Sequence, residues 1–180
     1  PAAHAEESKT SAASAIVYEP RTGTVLYEKE PDRRMLVAST TKIMTALVAL
    51  EHCTMDELVP VTAAHAAVEG SSAYLMPGES YRAEELLYAL LLVSGNDAAA
   101  ALADHVGGSM AGFAALMNEK CAELGLENTH FVNSHGLDDP EHYSTARDLA
   151  LLTAAAMENA DFCRMFGAAR YEENGRAYVN

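Results

Sequence analysis

A serine and a lysine three residues apart are the first side chains in this sequence whose types suit covalent chemistry. They are Ser39 and Lys42, in the run Ser39-Thr-Thr-Lys42. On a helix this spacing puts both side chains on one face, about 5–6 Å apart at Cβ. Lys42 is the only charge in an otherwise apolar stretch, and burial would lower its pKa until the amine can act as a base. A serine hydroxyl needs such a base to become a nucleophile.

A second candidate lies in the turn Ser94-Gly95-Asn96. A serine hydroxyl can relay a proton, and an asparagine amide can bind a peptide group. Each pattern also has an ordinary explanation, because S-x-x-K arises by chance and Asn96 suits a helix cap. Each occurs once in the chain, in the order S-x-x-K and then S-x-N.

The predicted elements place both candidates at helix ends. Runs of β-branched and aromatic residues at 15–18 and 24–27 flank a turn with Pro20 and Gly23, which predicts an antiparallel hairpin. Hydrophobicity on nearly every side predicts a buried helix from about Ser39 to His52. Capping residues and terminal glycines predict further helices over residues 63–69, 83–93, 98–106, 110–124 and 145–157. The expected N-caps are Thr62 for the first of these, Asn96 or Asp97 for the third, Ser109 for the fourth, and Ser144 or Thr145 for the last. A strand is predicted to begin near Arg176.

A long loop over residues 127–143 supplies the third element. It contains Phe131-Val-Asn-Ser-His-Gly-Leu137 and leads into His142-Tyr-Ser-Thr-Ala-Arg-Asp-Leu149. With the hairpin, the S-T-T-K helix and the run Leu-Leu-Tyr-Ala-Leu-Leu-Leu-Val-Ser-Gly-Asn-Asp-Ala at 86–98, these segments closely resemble the serine D-alanyl-D-alanine carboxypeptidases, the low-molecular-weight penicillin-binding proteins. The resemblance covers about residues 14–180.

The resemblance implies a role for each candidate residue. Ser39 would attack the penultimate D-Ala carbonyl of a peptidoglycan stem peptide, form an acyl-enzyme and release the terminal D-Ala. Lys42 would be the base, Ser94 would relay a proton to the leaving amine, and Asn96 would hold the substrate amide. The Ser39 backbone N–H would supply half of an oxyanion hole. β-Lactam antibiotics would acylate the same serine, and neither a metal nor another cofactor is expected.

One part of the family pattern does not occur in these 180 residues. The family's Lys-Thr-Gly motif lies on a strand beside the nucleophile, whereas the four lysines here stand at positions 9, 29, 42 and 120. The fold expected from the resemblance is therefore an α+β serine β-lactamase/DD-peptidase (transpeptidase-like) fold, a helical cluster on an antiparallel sheet, without its C-terminal sheet strands. We expect residues 1–13 to be a flexible lead and residues 14–180 an incomplete catalytic domain, inactive or weak by itself.

The composition of the chain limits the binding partners and the cellular setting that we expect for it. The formal net charge of −14 argues against nucleic acid and against electrostatic docking on anionic lipid. Three scattered cysteines, Cys53, Cys121 and Cys163, are expected to be small buried hydrophobes rather than disulfide or zinc ligands. Ala3-His4-Ala5 is similar to a signal-peptidase site and favours an exported, extracytoplasmic protein. Membrane attachment is expected only through a C-terminal anchor outside this sequence.

Three alternatives stay open. A serine β-lactamase shares the S-x-x-K helix, but it would favour Asp rather than Gly at position 95. A zinc peptidase would need ligands such as His130, His135 and His142, which lack the helical spacing of known zinc sites. The third alternative is a non-catalytic fragment of the same fold.

Structural roles are expected for four residues near the long loop: His142, Ser144, Thr145 and Asp148.

Overall fold

The computed structural model describes residues 10–180, so the signal-peptidase prediction at Ala3-His4-Ala5 lies outside the described residues. The strands are β1 (Ala15–Glu19), β2 (Thr24–Lys29), β3 (Leu58–Pro60), β4 (Ser80–Arg82), β5 (Arg170–Glu173) and β6 (Arg176–Val179). The helices are α1 (Lys42–His52), α2 (Ala63–Ala66), α3 (Ala83–Leu92), α4 (Asn96–Gly107), α5 (Met110–Leu124), α6 (Ala146–Ala156) and α7 (Ala160–Phe166).

Helix α1 lies at the centre of the helical cluster and packs against α3, α4, α5 and α6. Its side chains from Met44 to Ala49 are all buried, as the hydrophobicity on nearly every side predicted. One face of α1 joins a core formed with α3, α4 and α7, and the other joins a core formed with α5 and Phe131. The helix that carries Lys42 is therefore fixed by packing on both sides.

The strands form three separate antiparallel pairs in the described part of the chain: β1–β2, β3–β4 and β5–β6. The predicted hairpin at residues 15–27 is confirmed, and its register shifts between Val17 and Tyr18. The β1 strand rests on α6. The α+β class and the helical cluster are as expected, and each pair uses strands close in sequence.

Two of these strand pairs were not predicted. Strands β3 and β4 are only three residues long, too short to give a clear alternating pattern. The strand predicted near Arg176 is present, but β5 before it was missed. Asn174 and Gly175, with φ values of 50° and 79°, form the tight turn between them, and Asn-Gly between two polar-apolar runs is a strong hairpin signal.

The helix boundaries mostly follow their caps. Thr62, Ser109 and Thr145 each accept a backbone N–H from the first turn, and Gly125 ends α5 with a φ of 68°, as predicted. The predicted helix over 63–69 was too long, because α2 ends at Ala66. The prediction for α4 was also wrong at its start: Gly95 is the N-cap and Asn96 is already helical.

The three cysteines are free thiols. Cys53 and Cys121 are buried as expected, whereas Cys163, on the short helix α7, is half-exposed. No helix in residues 10–180 is long and apolar enough to cross a membrane.

Candidate active site

The candidate nucleophile lies in a single 3₁₀ turn, Ala38–Thr41, that runs directly into α1. The expectation that Ser39 opens the α-helix itself was therefore wrong by three residues, since α1 begins at Lys42. A 3₁₀ turn also brings residues i and i+3 together. The Lys42 Nζ lies 3.3 Å from the Ser39 Oγ.

The Lys42 amine has three oxygen neighbours although its residue is only 3% exposed. It lies 2.7 Å from the Asn96 Oδ1 and 2.8 Å from the His135 backbone carbonyl, besides the Ser39 hydroxyl. An ammonium group can donate to all three oxygens. The S-x-x-K turn, the start of α4 and the 127–143 loop therefore meet at one nitrogen atom.

Burial lowers the pKa of Lys42 to about 8, and the negative charge of Asp97 limits the fall. About a tenth of the amine is then neutral at pH 7. A neutral amine has two N–H groups and one lone pair. Because the Asn96 and His135 oxygens can only accept, the two N–H groups point to them and the lone pair faces the Ser39 hydroxyl. The site thus holds a base already oriented toward the serine proton.

The Asn96 amide is held at both ends. Its Oδ1 accepts from Lys42, and its Nδ2 donates to the Glu69 carbonyl at 2.6 Å. An NH₂ group has two hydrogens, so one remains for another acceptor. The space around this amide depends on Gly70, where a Cβ would come within 2.6 Å of Nδ2.

Ser94 lies two residues before Asn96, but its hydroxyl makes no hydrogen bond to the Lys42 amine. Its Oγ is buried and has no hydrogen-bond partner within residues 10–180. Its backbone adopts a left-handed conformation, with φ of 57°, which costs a non-glycine residue about 1–2 kcal/mol. A strained backbone and an unpaired buried hydroxyl both reduce the stability of the fold, and such features cluster at functional sites.

Asp97 fixes the segment that faces the serine. Its fully buried carboxylate accepts the backbone N–H groups of Ala73, Leu75 and Ala98 and the hydroxyl of Ser72. These bonds fasten the 70–75 loop to the start of α4. The sequence suggested Asp97 only as a helix cap, and its bracing of a distant loop gave no local signal.

The 133–137 loop forms the opposite wall. Asn133 Oδ1 accepts the backbone N–H groups of His135 and Gly136, at 3.2 and 2.7 Å, which holds the loop in a tight turn. Gly136 has a φ of 88°, and a Cβ there would lie 1.9 Å from the Ala38 carbonyl oxygen. Only glycine allows this close approach to the residue before Ser39.

The residues expected to be structural have structural contacts. The His142 Nδ1 accepts the Val132 N–H, so its Nε2 carries the proton and donates to the Thr41 Oγ1 at 2.8 Å. The Thr145 hydroxyl caps α6, and the Asp148 carboxylate accepts from Asn128 N–H and Thr129 Oγ1. These bonds anchor the long loop beneath the 3₁₀ turn.

The walls enclose an open cleft of about 500 Å³ beside Ser39. It is lined by Ala38, Ser39, Glu69, Gly70, Ser71, Asn96, His135, Gly136, Leu137 and Asp138. Burial, with a contribution from the Lys42 charge, lowers the pKa of His135 to about 4, so its imidazole is neutral. Sequence reasoning missed His135 as a partner of the lysine, because the contact uses a backbone carbonyl that any residue type could supply.

The α+β fold places a serine hydroxyl beside a buried lysine amine in a cleft, which is the arrangement that serine acyl transfer with a lysine base requires. A family model described as D-alanyl-D-alanine carboxypeptidase matches residues 2–173. The chain belongs to this family.

Similarity to individual proteins supports this family assignment. The chain is 38% identical over 167 residues to the D-alanyl-D-alanine carboxypeptidase DacF of Bacillus subtilis, covering 90% of this chain and 42% of that protein. It is 42% identical over 153 residues to a D-alanyl-D-alanine carboxypeptidase of Streptomyces sp., covering 78% and 53%. A crystal structure of a D-alanyl-D-alanine carboxypeptidase from Mycobacterium tuberculosis superposes with a TM-score of 0.93 at 36% identity, covering 100% of this chain and 70% of that one. The chain spans about half the length of the curated relatives it matches.

Proposed function

We propose that this chain carries the acylating half of a serine D-alanyl-D-alanine carboxypeptidase. Ser39 is the nucleophile, Lys42 the base, Ser94 the proton relay and Asn96 the substrate-binding amide. The observation that carries the proposal is the buried Lys42 amine, which lies 3.3 Å from the Ser39 Oγ and is held by the Asn96 Oδ1 and the His135 carbonyl.

The reaction begins at the peptide carbonyl of the penultimate D-Ala. Lys42 takes the Ser39 proton while the Oγ–carbon bond forms, and the Ser39 backbone N–H bonds to the developing oxyanion. The carbon–nitrogen bond then breaks. The leaving amine receives a proton passed from Lys42 through the Ser94 hydroxyl, and D-Ala departs. Water hydrolyses the ester and restores both residues.

The unpartnered hydroxyl of Ser94 supports this relay role. A hydroxyl already bonded to protein partners would have to exchange them during proton transfer, whereas the Ser94 Oγ has none among the described residues.

Position 95 favours a carboxypeptidase over a β-lactamase. A Cβ on Gly95 would come within 2.8 Å of the Asp97 Oδ1 and 3.2 Å of the Ala73 backbone nitrogen. A side chain at position 95 would therefore require the Asp97 carboxylate or the backbone at Ala73 to shift.

The proposed setting follows from the substrate. Stem peptides ending in D-Ala-D-Ala lie outside the cytoplasmic membrane, so we propose an exported protein that acts in peptidoglycan biosynthesis and thereby on the cell wall and cell shape. β-Lactam antibiotics are the other proposed ligands. The reaction uses no cofactor, and nucleic acid is not a proposed partner.

Mass spectrometry after treatment with benzylpenicillin tests the nucleophile. We expect one penicilloyl adduct on the peptide that contains Ser39, lost in Ser39→Ala and retained in the exposed-strand control Ser80→Ala. An adduct on another residue would overturn the mechanism, and so would complete absence of an adduct from the folded protein at high penicillin concentration.

The rates of later steps separate the alternatives. Slow release of the penicilloyl group supports the carboxypeptidase, whereas rapid turnover of penicillin would favour a β-lactamase. We also expect only weak D-Ala release from a D-Ala-D-Ala peptide by the 180 residues alone, because the Lys-Thr-Gly contacts implied by the resemblance are not among them. Rapid release by this chain would contradict that expectation.

A further inference from the structure

A second cluster of reactive side chains lies far from the cleft. Cys53 follows the last residue of α1, Glu57 ends the next turn, and His105 lies in the last turn of α4. Their Sγ, carboxylate oxygen and imidazole nitrogen all lie within 4.8 Å of one another. Because α1 has 11 residues, the cluster is about 16 Å along the helix from the Lys42 end.

We propose that Cys53, Glu57 and His105 form a binding site for a divalent zinc ion. One sulfur, one nitrogen and one oxygen donor are the mixture that Zn²⁺ accepts, whereas Mg²⁺ and Ca²⁺ prefer oxygen ligands alone. Three protein ligands leave the fourth tetrahedral position for water. The proposal does not depend on the carboxypeptidase function.

The donor atoms lie close enough together to converge on one ion. Ligands about 2.0–2.3 Å from zinc lie roughly 3.4–3.7 Å from one another. The His105 Nε2 and Glu57 Oε1 are now 2.8 Å apart in a direct hydrogen bond, in which Nε2 carries the proton. On binding an ion the two atoms would separate slightly, and the imidazole would change tautomer so that Nδ1 carries the proton and Nε2 offers its lone pair. The Glu57 and His105 side chains are 39% and 23% exposed, which leaves small rotamer changes and an entry path open.

The charges also suit a dication. The Glu57 carboxylate supplies one negative charge at neutral pH. Burial and the Glu57 charge raise the pKa of Cys53 to about 11, so its thiol keeps its proton without a metal. A bound cation removes the proton from a coordinating thiol. The thiolate and the carboxylate would then balance the two positive charges of zinc.

The backbone holds the ligands in place. The Cys53 N–H donates to the Ala49 carbonyl, and the 54–57 turn closes through the Glu57 N–H and the Thr54 carbonyl. The Ala83 N–H bonds to the Glu57 carbonyl at 2.8 Å, and the Thr54 N–H donates to the Glu57 Oε2 at 3.2 Å. Zinc would therefore link the end of α1 to the end of α4, and the expected effect is stabilisation of the helical cluster.

Cobalt substitution tests the ligands directly. The tag-free chain, freed of metal by a chelator, would be titrated with Co²⁺ and followed by its thiolate-to-cobalt charge-transfer band and its visible d–d bands. We expect one equivalent of tetrahedral Co²⁺, displaced by Zn²⁺, and a higher Tm with Zn²⁺ bound.

Substitutions identify the side chains that bind the ion. Cys53→Ala should abolish the charge-transfer band, and Cys163→Ala should retain it. His105→Gln keeps a donor for Glu57 but loses the imidazole, so the affinity should fall at least tenfold without loss of folding. A wild-type protein without the band, a band that persists in Cys53→Ala, or unchanged affinity in His105→Gln would overturn the proposal. His105→Gln remains decisive if Cys53→Ala does not fold.

Discussion

The contact between Gly136 and Ala38 gives the sharpest prediction, because one added methyl group should disturb the nucleophile without touching it. In Gly136→Ala the new Cβ would lie 1.9 Å from the Ala38 carbonyl oxygen. Real contacts of this kind begin near 3.0 Å, so one side must move by about 1 Å. Ala38 immediately precedes Ser39, and its own φ of 45° leaves little room to adjust.

Movement of the 133–137 loop instead of Ala38 would also lower the acylation rate. The 133–137 loop is tied to α1 by the Lys42 amine on the His135 carbonyl and by the Thr45 hydroxyl on the Ser134 carbonyl, at 2.8 and 2.6 Å. A shift of about 1 Å therefore displaces either the serine or a partner of its base. Misplacement by this distance typically costs about 10²-fold in rate.

Gly78→Ala is the matched control. Gly78 has the same φ of 88°, but a Cβ there meets nothing within 4 Å. Both variants should lose about 1–2 kcal/mol through backbone strain, and Gly136→Ala should lose about 1–3 kcal/mol more through overpacking. Urea unfolding would measure stability, and a fluorescent penicillin would measure the acylation rate of the folded protein.

Two results would refute this reasoning. The first is an acylation rate in Gly136→Ala within about threefold of wild type, since the displacement argument predicts about 10²-fold. The second is an equal loss of stability in the two variants, because the clash would then contribute nothing.

Three further predictions concern the charges and the relay. The acylation rate should rise with pH with an apparent pKa of about 8, because only neutral Lys42 accepts the serine proton; rates measured on both sides of that pH test this. Asp97→Asn should lower stability by about 2–4 kcal/mol in urea unfolding, because the buried carboxylate loses acceptor capacity. It should also move the rising limb to lower pH, since the Asp97 charge raises the pKa of Lys42. Ser94→Gly should raise stability by about 1 kcal/mol through relief of its positive φ, yet slow acylation by about 10²-fold or more, measured by thermal unfolding and penicillin labelling.

The controls for these variants come from the same chain. Asp104→Asn changes a half-exposed carboxylate that pairs with His65, so stability should fall by less than 1 kcal/mol and the pH profile should stay unchanged. A flat pH profile across the pKa of Lys42 would remove the lysine as base. An unshifted limb in Asp97→Asn would contradict the electrostatic link, and an active Ser94→Gly would exclude the relay.

Much of the helical framework could be predicted from sequence because its signals are local. The burial of α1 follows from its hydrophobicity on nearly every side, and the starts of α5 and α6 follow from Ser109 and Thr145. The nearness of Ser39 and Lys42 is also local, since helical and 3₁₀ turns both bring i and i+3 together. The β5 strand was missed although Asn174-Gly175 announces its turn.

The rest of the site depends on contacts that no local pattern encodes. The His135 carbonyl reaches Lys42 across 93 residues, and Asp97 bonds to the backbone of Ala73 and Leu75. Backbone carbonyls and N–H groups are the same in every residue type, so the sequence does not mark which of them meet. Only the packing of α1, α4 and the 127–143 loop decides this.

Because of these long-range bonds, the reactivity of Ser39 depends on a late step of folding. Its neighbours Thr41 and Lys42 depend on residues 101 and 93 positions away, and such distant contacts form slowly because the intervening chain must first be ordered. A collapsed intermediate with all its helices but without the 127–143 loop in place would contain the serine and the lysine, yet no oriented base. The rate at which penicillin reactivity returns during refolding would therefore time the last step of assembly, which far-ultraviolet circular dichroism would not detect.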